Sequence, residues 1–422
     1  MPPFLQQIWQ GAVGFLFYYP LFMSWLWMLG AMIFWLRRER TAPRADQPRR
    51  RPDAPPVSVL IPCYNEGDNV EETLRHALSL DYPSFEVIAI NDGSRDNTGA
   101  ALDRLAQQHP QLRVVHLAQN QGKAMALQAG ALLARNEILI CIDGDALLDP
   151  LCAHWLAPHF MDDPKVAAVT GNPRIRNRST LLGRLQVGEF SSIVGMIKRA
   201  QKTFGPLMTV SGVITAFRRA AVHDVGYWSA DAMTEDIDIT WKLERKGWRV
   251  NFEPNALVWI LMPETLRGLW KQRLRWARGG AQVLVRNFGV LGRPSQSQMW
   301  PLLLEMCASV LWAYLILLFG ALWLTGLMLP QAGLPEVQSP FIPMGGAIWL
   351  VATCLIQFAF SAWLDSRYEK GIGRYYYWII WYPLAYWIIN VGTAVVAYPT
   401  TRFRRGSQRA RWVSPDRGVR PP

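Results

Sequence analysis

Two aspartates, Asp143 and Asp145, follow the apolar run Ile138–Ile142 with one glycine between them. The run has the β-branched composition of a buried strand, so both carboxylates come just past the strand's C-terminal end. Ligands of open parallel α/β sheets bind at that edge. Paired carboxylates can hold a hard divalent cation together with the phosphates of a substrate. The alternative is an ordinary polar turn, since aspartate and glycine commonly end strands.

Two more predicted strands end in polar residues that suit a nucleoside. Tyr64 and Glu66 follow the apolar run Val57–Ile61. Asp92 follows the run Phe85–Asn91. A tyrosine ring can stack on a nucleobase, and carboxylates can accept hydrogen bonds from base N–H groups or ribose hydroxyls. Because the carboxyl ends of parallel strands meet at one edge, we expect these residues near the paired aspartates.

A lysine and an acidic pair add groups suited to phosphate binding and proton transfer. Gln121–Lys123 opens a predicted helix, and a glycine, a helix N-terminus and a lysine together suit a diphosphate. Glu235 and Asp236 lie in Met233–Ile239, where acidic and apolar residues alternate. That pattern would place Asp236 at the rim of a cleft, where a carboxylate can act as a general base. The alternative is a solvated helix start, where acidic residues favour the helix dipole.

The elements that must position these residues alternate between strands and helices. The predicted strands are Val57–Ile61, Phe85–Asn91, Arg113–Leu117 and Ile138–Ile142. The predicted helices between them are Asn69–Leu80, Thr98–Gln108 and Lys123–Ala134. Alternation of this kind implies right-handed crossovers and a mainly parallel sheet.

The composition indicates a membrane protein. Of the 422 residues 50% are hydrophobic, and 20 tryptophans are typical of chains that contact a bilayer. Much of the net charge of +12 lies in Arg37–Arg51 and Arg402–Arg420, which flank apolar segments. We interpret this charge as facing the membrane surface and expect no nucleic-acid partner. Five cysteines without close spacing argue against a disulfide framework or a zinc site.

Four apolar segments are long enough to span a bilayer. Gly11–Leu36 is an uncharged stretch of 26 residues followed directly by arginines. The positive-inside rule then predicts an external N-terminus and a cytoplasmic α/β domain. The three later spans are predicted at Met299–Leu329, Met344–Leu364 and Tyr375–Tyr398.

The charge pattern leaves two solutions for the C-terminus. Three spans after a cytoplasmic domain would put it outside, whereas the basic residues of Arg402–Arg420 predict a cytoplasmic tail. A re-entrant Tyr375–Tyr398, broken at Pro383, would reconcile the two, as would a failure of the charge rule. We expect the tail to be cytoplasmic.

Glu264–Asn287 is predicted to form a basic amphipathic helix that lies on the membrane surface. The alternative is an ordinary surface helix of the α/β domain. Gln272, Arg275 and Trp276 are spaced i, i+3 and i+4, so they share one helix face. That face can look into the site while another contacts lipid, and arginine with tryptophan suits diphosphate and sugar.

Five motifs in order resemble the processive family 2 glycosyltransferases, which make cellulose, chitin, hyaluronan and poly-N-acetylglucosamine. The motifs are Pro62–Glu66, Asp92–Ser94, Asp143–Asp145, Thr234–Asp236 and Gln272–Trp276. Their order and spacing match from about residue 57 to 280. The layout is most similar to the bacterial branch that makes the β-1,6-linked N-acetylglucosamine polymer of biofilm matrix. Stretches such as Thr170–Arg174 and Val210–Gly212 carry this closer likeness.

The resemblance implies a role for each motif residue. The residues expected to bind substrate are Tyr64, Glu66, Asp92, Lys123, Asp143, Ser211, Gly212, Glu235, Gln272, Arg275 and Trp276. Within this set, Tyr64 and Asp92 would hold the uridine, and Gln272–Trp276 would bind the diphosphate and the acceptor end. Asp145 would be the principal ligand of Mg²⁺ or Mn²⁺. Asp236 would be the general base.

The resemblance also implies an α/β nucleotide-sugar transferase domain of the GT-A type beside an α-helical transmembrane region. We divide the chain into an N-terminal span with a basic linker (1–50), the GT-A-type domain (51–262), an interfacial helix (263–298), and later spans with a basic tail (299–422). The expected partners are UDP-N-acetylglucosamine, the growing polysaccharide and the lipid bilayer. A small membrane subunit and cyclic-di-GMP regulation are implied by the family alone.

The expected function is an inverting, processive glycosyltransferase of the bacterial inner membrane with a cytoplasmic catalytic domain. It would extend a β-1,6-linked N-acetylglucosamine polymer and help to pass it outward. Glu305 and Asn390, polar residues in or near the spans, are candidates to face a polymer path. The alternative for Glu305 is that it snorkels to the nearby cytoplasmic surface. A hyaluronan- or chitin-type synthase is the nearest alternative. From another class, a membrane transporter or receptor with a nucleotide-binding domain would leave Asp236 unexplained.

Overall fold

The computed structural model describes residues 2–332, 346–382 and 386–402 of the chain, which form an α/β domain and long apolar helices. The strands are β1 (Val57–Cys63), β2 (Phe85–Asn91), β3 (Leu112–His116), β4 (Ile138–Ile142), β5 (Leu147–Leu148), β6 (Val166–Ile175), β7 (Ile214–Arg218) and β8 (Arg249–Ile260). The helices are α1 (Pro3–Phe34), α2 (Val70–Leu78), α3 (Thr98–Gln108), α4 (Lys123–Leu133), α5 (Cys152–Leu156), α6 (Pro158–Asp162), α7 (Leu181–Glu189), α8 (Ile197–Phe204), α9 (Arg219–Asp224), α10 (Glu235–Arg245), α11 (Leu266–Asn287), α12 (Trp300–Met328), α13 (Ala347–Asp365), α14 (Tyr376–Ile379) and α15 (Trp387–Arg402).

The strands of the described residues form one eight-stranded sheet in the order β3-β2-β1-β4-β7-β6-β8-β5. The first four neighbours, β3, β2, β1 and β4, are parallel, as the sequence predicts. Beyond β4 the sheet is mixed: β7 is antiparallel to β4 and β6, β8 is parallel to β6, and β5 is antiparallel to β8. The expectation of a mainly parallel sheet is therefore corrected for its second half, because the strand-helix alternation that enforces parallel crossovers ends at β4.

Burial on both faces fixes the register of the parallel strands. Val59 and Ile61 of β1 pack into the core formed with Leu74 of α2, whereas Leu60 packs into the opposite core with Leu127 of α4. A slip of one residue would exchange these two faces, so the register is strongly specified. The strand ends, and the polar residues that follow them, are thereby held at one edge.

Three helices of the described residues are long and apolar enough to cross a membrane, by length and composition: Pro3–Glu39, Pro294–Met328 and Ala347–Asp365. They correspond to the first three predicted spans. Within the fourth predicted span, Tyr375–Tyr398, the described residues contain α14, which ends at Ile379, and α15, which begins at Trp387. The expected break of this span at Pro383 lies outside the described residues, as does the basic tail after residue 402.

A buried ion network joins the long helices to the α/β domain. Arg199 of α8 is fully buried and pairs with Glu39 after α1 (Nε–Oε1 2.6 Å) and with Asp365 at the end of α13 (Nη1–Oδ1 3.0 Å). Arg174 of β6 pairs with the same Asp365 at 2.6 Å. Tyr368 donates a hydrogen bond to Glu39 at 2.5 Å. The C-terminal ends of α1 and α13 therefore lie on the same side, beside the α/β domain, which is the arrangement that the charge pattern predicts.

Helix α11 corresponds to the predicted amphipathic helix. On one side it approaches α10 so closely that a Cβ at Gly279 would lie 1.9 Å from Thr234 Oγ1. On another side Trp270 contacts α15, because a Cβ at Gly392 would lie 3.2 Å from the tryptophan ring. Thr265 begins the helix by accepting a hydrogen bond from Gly268 N–H at 3.1 Å. The helix is thus held between the α/β domain and α15, and its contact with lipid stays a prediction.

Candidate active site

The carboxyl ends of β1, β2 and β4 bring three predicted motifs together. Asn65, after β1, donates its N–H to Ser94 Oγ, after β2, at 3.0 Å. Asn65 has a φ of 53°, a conformation that asparagine tolerates better than most residues. A Cβ at Gly144 would lie 3.1 Å from Glu66 Cγ, so the turn after β4 packs on this buried side chain. The predicted convergence of the three strand ends is confirmed.

Asp92 holds the turn that starts α4. It is fully buried, and its Oδ1 and Oδ2 accept hydrogen bonds from the N–H groups of Gln121 (2.8 Å) and Gly122 (2.9 Å). Gly122 has a φ of 92°, which favours glycine. Burial raises the pKa of Asp92, and the two hydrogen bonds oppose this rise. Asp92 therefore positions the turn before α4. Tyr64, the other residue of the predicted uridine site, lies half-buried at the end of β1.

Lys123 contacts both the paired aspartates after β4 and the acidic pair of α10. Its Nζ lies 2.5 Å from Asp143 Oδ1 and 2.8 Å from Glu235 Oε1, and it donates a hydrogen bond to the Gly212 carbonyl at 3.1 Å. Burial opposes the charged form, but the two carboxylates outweigh it and hold the pKa of Lys123 above its ordinary value. A cation thus lies beside the paired aspartates, at the N-terminus of α4, as expected for a group that meets a diphosphate.

The acidic pair at the start of α10, Glu235 and Asp236, contains two carboxylates whose pKa values shift in opposite directions. Burial would raise the pKa of Glu235, but the charge of Lys123 outweighs it and keeps that pKa below its ordinary value. Burial, with the charge of Glu235, raises the pKa of Asp236 to about 6. Asp236 accepts hydrogen bonds from the N–H groups of Gly212 (3.3 Å) and Ile237 (2.9 Å). A fixed carboxylate with a pKa near neutrality has the properties of a general base.

Asp143 and Asp145 form the candidate metal site. Asp145 is buried, and burial together with the charge of Asp143 raises its pKa to about 7. The two carboxylates repel one another, and a bound cation would relieve that repulsion. Within the described ranges, no group of three histidine, cysteine or acidic side chains is arranged to hold a metal ion. A cation at this pair would therefore need further ligands from a substrate, as Mg²⁺ commonly does with phosphates.

Ser211 and Gly212 form the turn against which the acidic pair lies. A Cβ at Gly212 would come within 3.2 Å of both Asp236 Oδ2 and Lys123 Nζ, so a side chain here would crowd the cluster. Ser211 Oγ accepts a hydrogen bond from Lys198 Nζ at 2.5 Å, and Lys198 is itself buried. The sequence indicated Ser211 and Gly212 but not Lys198, because a single lysine on a helix carries no motif.

The three residues expected to face the site from α11 have different environments. Gln272 is half-buried, and its Nε2 lies 3.9 Å from Met262 Sδ. Trp276 is half-buried and packs near Phe190, with ring centroids 6.4 Å apart. Arg275 is exposed, and its positive charge acts on both members of the acidic pair. Of the three, Arg275 is the residue that the described contacts link electrostatically to the catalytic candidates.

The arginine between these residues has a buried role that sequence reasoning missed. Arg273 pairs with Glu189 of α7 at 2.6 Å, and Tyr386 donates a hydrogen bond to the same carboxylate at 2.9 Å. The Arg273 guanidinium also lies 4.3 Å from the centroid of the Trp276 ring. The sequence shows Arg273 as a second arginine inside Gln272–Trp276, but no local pattern identifies Glu189 as its partner. This arginine therefore joins α11 to α7 and contacts the Trp276 ring.

The parallel half of the sheet is Rossmann-like. Lys123, the paired aspartates and Asp236, whose pKa is about 6, lie at its edge. This combination of fold and site defines a nucleotide-sugar transferase of the GT-A type. The chain belongs to glycosyltransferase family 2, since the model described as "Glycosyltransferase like family 2" matches residues 55–279.

The chain is similar along nearly its whole length to relatives named poly-β-1,6-N-acetyl-D-glucosamine synthase. One from Staphylococcus aureus is 41% identical over 407 residues, which is 96% of this chain and 98% of the relative. One from Staphylococcus epidermidis is 39% identical over the same shares. Among solved structures, the mannosyltransferase of Pyrobaculum calidifontis in complex with GDP-Man and Mn²⁺ has a TM-score of 0.61 at 23% identity, covering 93% of this chain and 99% of that chain. This last likeness shows the fold.

These findings confirm the predicted family, the GT-A-like fold and the assignment as a glycosyltransferase. The relatives carry the name of the polymer-forming branch that the sequence resembled. The roles of individual site residues and the domain limits stay predictions.

Proposed function

We propose that this chain is a processive, inverting glycosyltransferase that polymerises N-acetylglucosamine from UDP-N-acetylglucosamine into a β-1,6-linked polymer for biofilm matrix. Similarity to relatives of that name over 96% of the chain supports the substrate and the linkage. The observation that carries the chemistry is Asp236, a carboxylate with a pKa of about 6 held against Gly212 beside the Lys123 cluster. A transporter or receptor with a nucleotide-binding domain needs no such base.

The donor would bind along the edge formed by β1, β2 and β4. Tyr64 and Glu66 would contact the uridine, with Asp92 both fixing the turn before α4 and bordering the base. Lys123 would meet the diphosphate by exchanging one of its three contacts, with Asp143, Glu235 or the Gly212 carbonyl, for a phosphate oxygen. The first N–H groups of α4 would add to that attraction.

The Asp143–Asp145 pair fits a divalent cation, Mg²⁺ or Mn²⁺. Asp145 is buried beside the like charge of Asp143, and carboxylate oxygens are the donors that hard divalent cations prefer, which together support the fit. Asp145 would be the principal ligand and Asp143 would contact the metal or the nucleotide. When bound, the cation would neutralise charge on the diphosphate leaving group.

Transfer would occur in one displacement with inversion at the anomeric carbon. Asp236 would take the proton of the acceptor hydroxyl while that oxygen forms the new glycosidic bond and the diphosphate leaves. Glu235, held ionised by Lys123, keeps the pKa of Asp236 high enough for this task near neutral pH, in addition to burial. Arg275 would stabilise the diphosphate, and Trp276 would offer a surface to the acceptor sugar.

Polymer synthesis would take place at the cytoplasmic face of a bacterial inner membrane. The three apolar helices and the position of Glu39 and Asp365 beside the α/β domain support a multi-pass protein with this orientation. Glu305 and Asn390 would lie along the path of the polymer. A small membrane subunit and cyclic-di-GMP regulation remain expectations from the family.

The test is incorporation of sugar by membranes that carry the protein. UDP-N-acetylglucosamine and UDP-glucose are supplied separately with Mg²⁺, and the product is treated with linkage-specific hydrolases. We compare the wild type with Asp236→Asn and with Asp238→Asn, an acidic residue of the same helix whose partners are Arg286 and Lys242. We expect a polymer from the N-acetylglucosamine donor, cut by a β-1,6-specific enzyme, present with Asp238→Asn and absent with Asp236→Asn.

The other outcomes separate the alternatives. A product cut only by chitinase or hyaluronidase would keep the family and reject the β-1,6 linkage. Nucleotide binding without incorporation, even when the genes neighbouring this one are expressed with it, would favour a transporter or receptor. Equal incorporation by Asp236→Asn and the wild type would refute Asp236 as the base.

A further inference from the structure

Lys198 of α8 is a buried lysine whose ammonium group contacts hydroxyls. Only 5% of the residue is exposed, and its Nζ lies 2.5 Å from Ser211 Oγ and 3.4 Å from Thr170 Oγ1. In the part of the chain that the structure describes, no carboxylate forms an ion pair with it. Burying an ammonium group without a counter-ion is costly, so an apolar residue would serve the stability of the fold better.

The neighbouring cations of α8 contact groups away from the acidic pair. Arg199 is equally buried, but it pairs with Glu39 and Asp365. Lys202, one turn further along, is partly buried and donates a hydrogen bond to the Val250 carbonyl at 2.8 Å. Lys198 therefore differs from both, because its contacts lead to the turn beside the acidic pair.

Ser211 is held from three directions. Its Oγ accepts from Lys198, its N–H donates to Thr170 Oγ1 at 2.8 Å, and its carbonyl accepts from Thr215 Oγ1 at 2.8 Å. The next residue, Gly212, donates its N–H to Asp236. A displacement of Ser211 would therefore be transmitted through a single peptide unit to the carboxylate that takes the proton.

We propose that Lys198 is a positioning residue for sugar transfer, which holds the Ser211–Gly212 turn against Asp236 and favours the ionised form of that base. The inference rests on the proposed function, because it assigns Lys198 a task in the same reaction. It explains why a cation is kept at a buried position where stability alone favours an apolar side chain.

The electrostatics agree with the geometry. Burial lowers the pKa of Lys198 to about 7, and the charge of Asp236 acts in the opposite direction. The other charged groups nearby have their own partners: Arg199 and Lys202 as described, and Lys123 with Glu235 across Gly212. Asp236 is thus the charged group whose field acts on Lys198, and the attraction between them is mutual.

Lys198→Met tests the proposal, since methionine has a similar length and is suited to a buried site. We expect kcat to fall roughly 10- to 100-fold, because a hydrogen bond from a charged donor is lost, while KM for UDP-N-acetylglucosamine changes little. We also expect the acidic limb of the pH–rate profile to move to higher pH, because Asp236 loses a nearby positive charge. Lys202→Met is the matched control and should leave both quantities unchanged.

Ser211→Ala is the second variant, because it removes the same hydrogen bond and keeps the lysine. It should lower kcat without the full shift of the acidic limb, and its effect should not add to that of Lys198→Met. If Lys198→Met does not accumulate in membranes, the fall in kcat of Ser211→Ala decides the question, and a wild-type kcat overturns the proposal. A wild-type kcat and an unmoved acidic limb in Lys198→Met overturn it directly. Wild-type activity in Asp236→Asn would instead reject Asp236 as the base, and absence of incorporation by the wild type would reject the proposed function itself.

Discussion

Replacing Gly279 with alanine should separate α11 from the acidic pair of α10. A Cβ at Gly279 would lie 1.9 Å from Thr234 Oγ1 and 2.7 Å from Thr234 Cβ, so rotating the threonine side chain does not remove the overlap. Compared with ordinary contact at 3.4 Å, the overlap is about 1.5 Å at Oγ1 and about 0.7 Å at Cβ, so α11 must move by at least about 0.7 Å even after the threonine side chain rotates. Overpacking of this kind costs about 1–3 kcal/mol. A shift of about 1 Å in Arg275 can reduce the rate by about 100-fold.

Gly280→Ala is the matched control, because nothing lies within 4 Å of its Cβ position on the same helix. It should gain about 0.5–1 kcal/mol of helix stability. The assays are the initial rate of sugar incorporation and thermal unfolding in detergent. We expect Gly279→Ala to be slow and less stable, with stability partly restored by adding Thr234→Ala. Equal rates and equal unfolding temperatures for the two alanine variants would refute the reasoning.

Three further predictions follow from the charges. Activity should fall as the pH drops through about 6, because only the ionised form of Asp236 can accept a proton. Burial and the charge of the neighbouring glutamate raise its pKa to that value. A flat pH profile of initial rates would contradict this. Asp145→Asn should raise the Mg²⁺ concentration for half-maximal activity by about 10-fold or more, and an unchanged titration would exclude it as a ligand. Arg199→Met should lower the free energy of unfolding by about 3–5 kcal/mol, because buried Glu39 loses its ion-pair partner and buried Asp365 keeps only one of its two arginines, Arg174. Denaturation in detergent tests this, with the exposed Arg75→Met as a near-neutral control.

The parts of the site that were predictable are those with local signals. β1 was predicted as Val57–Ile61 and extends to Cys63, and β2 and β4 have the predicted limits. Continuous apolar runs that end in polar residues are visible in the sequence, and parallel pairing brings their ends to one edge. The edge with Glu66, Asp92 and the paired aspartates follows from this alone.

The rest depends on contacts between distant segments. Lys123 donates to Gly212, which is 89 residues away, and nothing periodic in either segment reports that contact. The same holds for the buried arginines and for the antiparallel strand β7, because pairing order is set by how the helices pack and not by the strand's own pattern. Lys198 was missed for a related reason: a buried lysine looks like any surface lysine in sequence.

The ion network around Arg199 joins segments that the ribosome synthesises at different times. Arg199 follows Glu39 by 160 residues, and Asp365 follows Arg199 by 166. The first span therefore leaves the ribosome with Glu39 before its partner Arg199 has been made, and we expect the α/β domain to fold before Asp365 has been translated. Insertion of α13 brings in Asp365, and Glu369, which pairs with Arg174 at 3.0 Å, follows it in the chain. A chain that ends before α13 contains Arg199 and Arg174 but lacks Asp365, with which both arginines pair. The missing ion pairs distinguish an incomplete protein from a finished one.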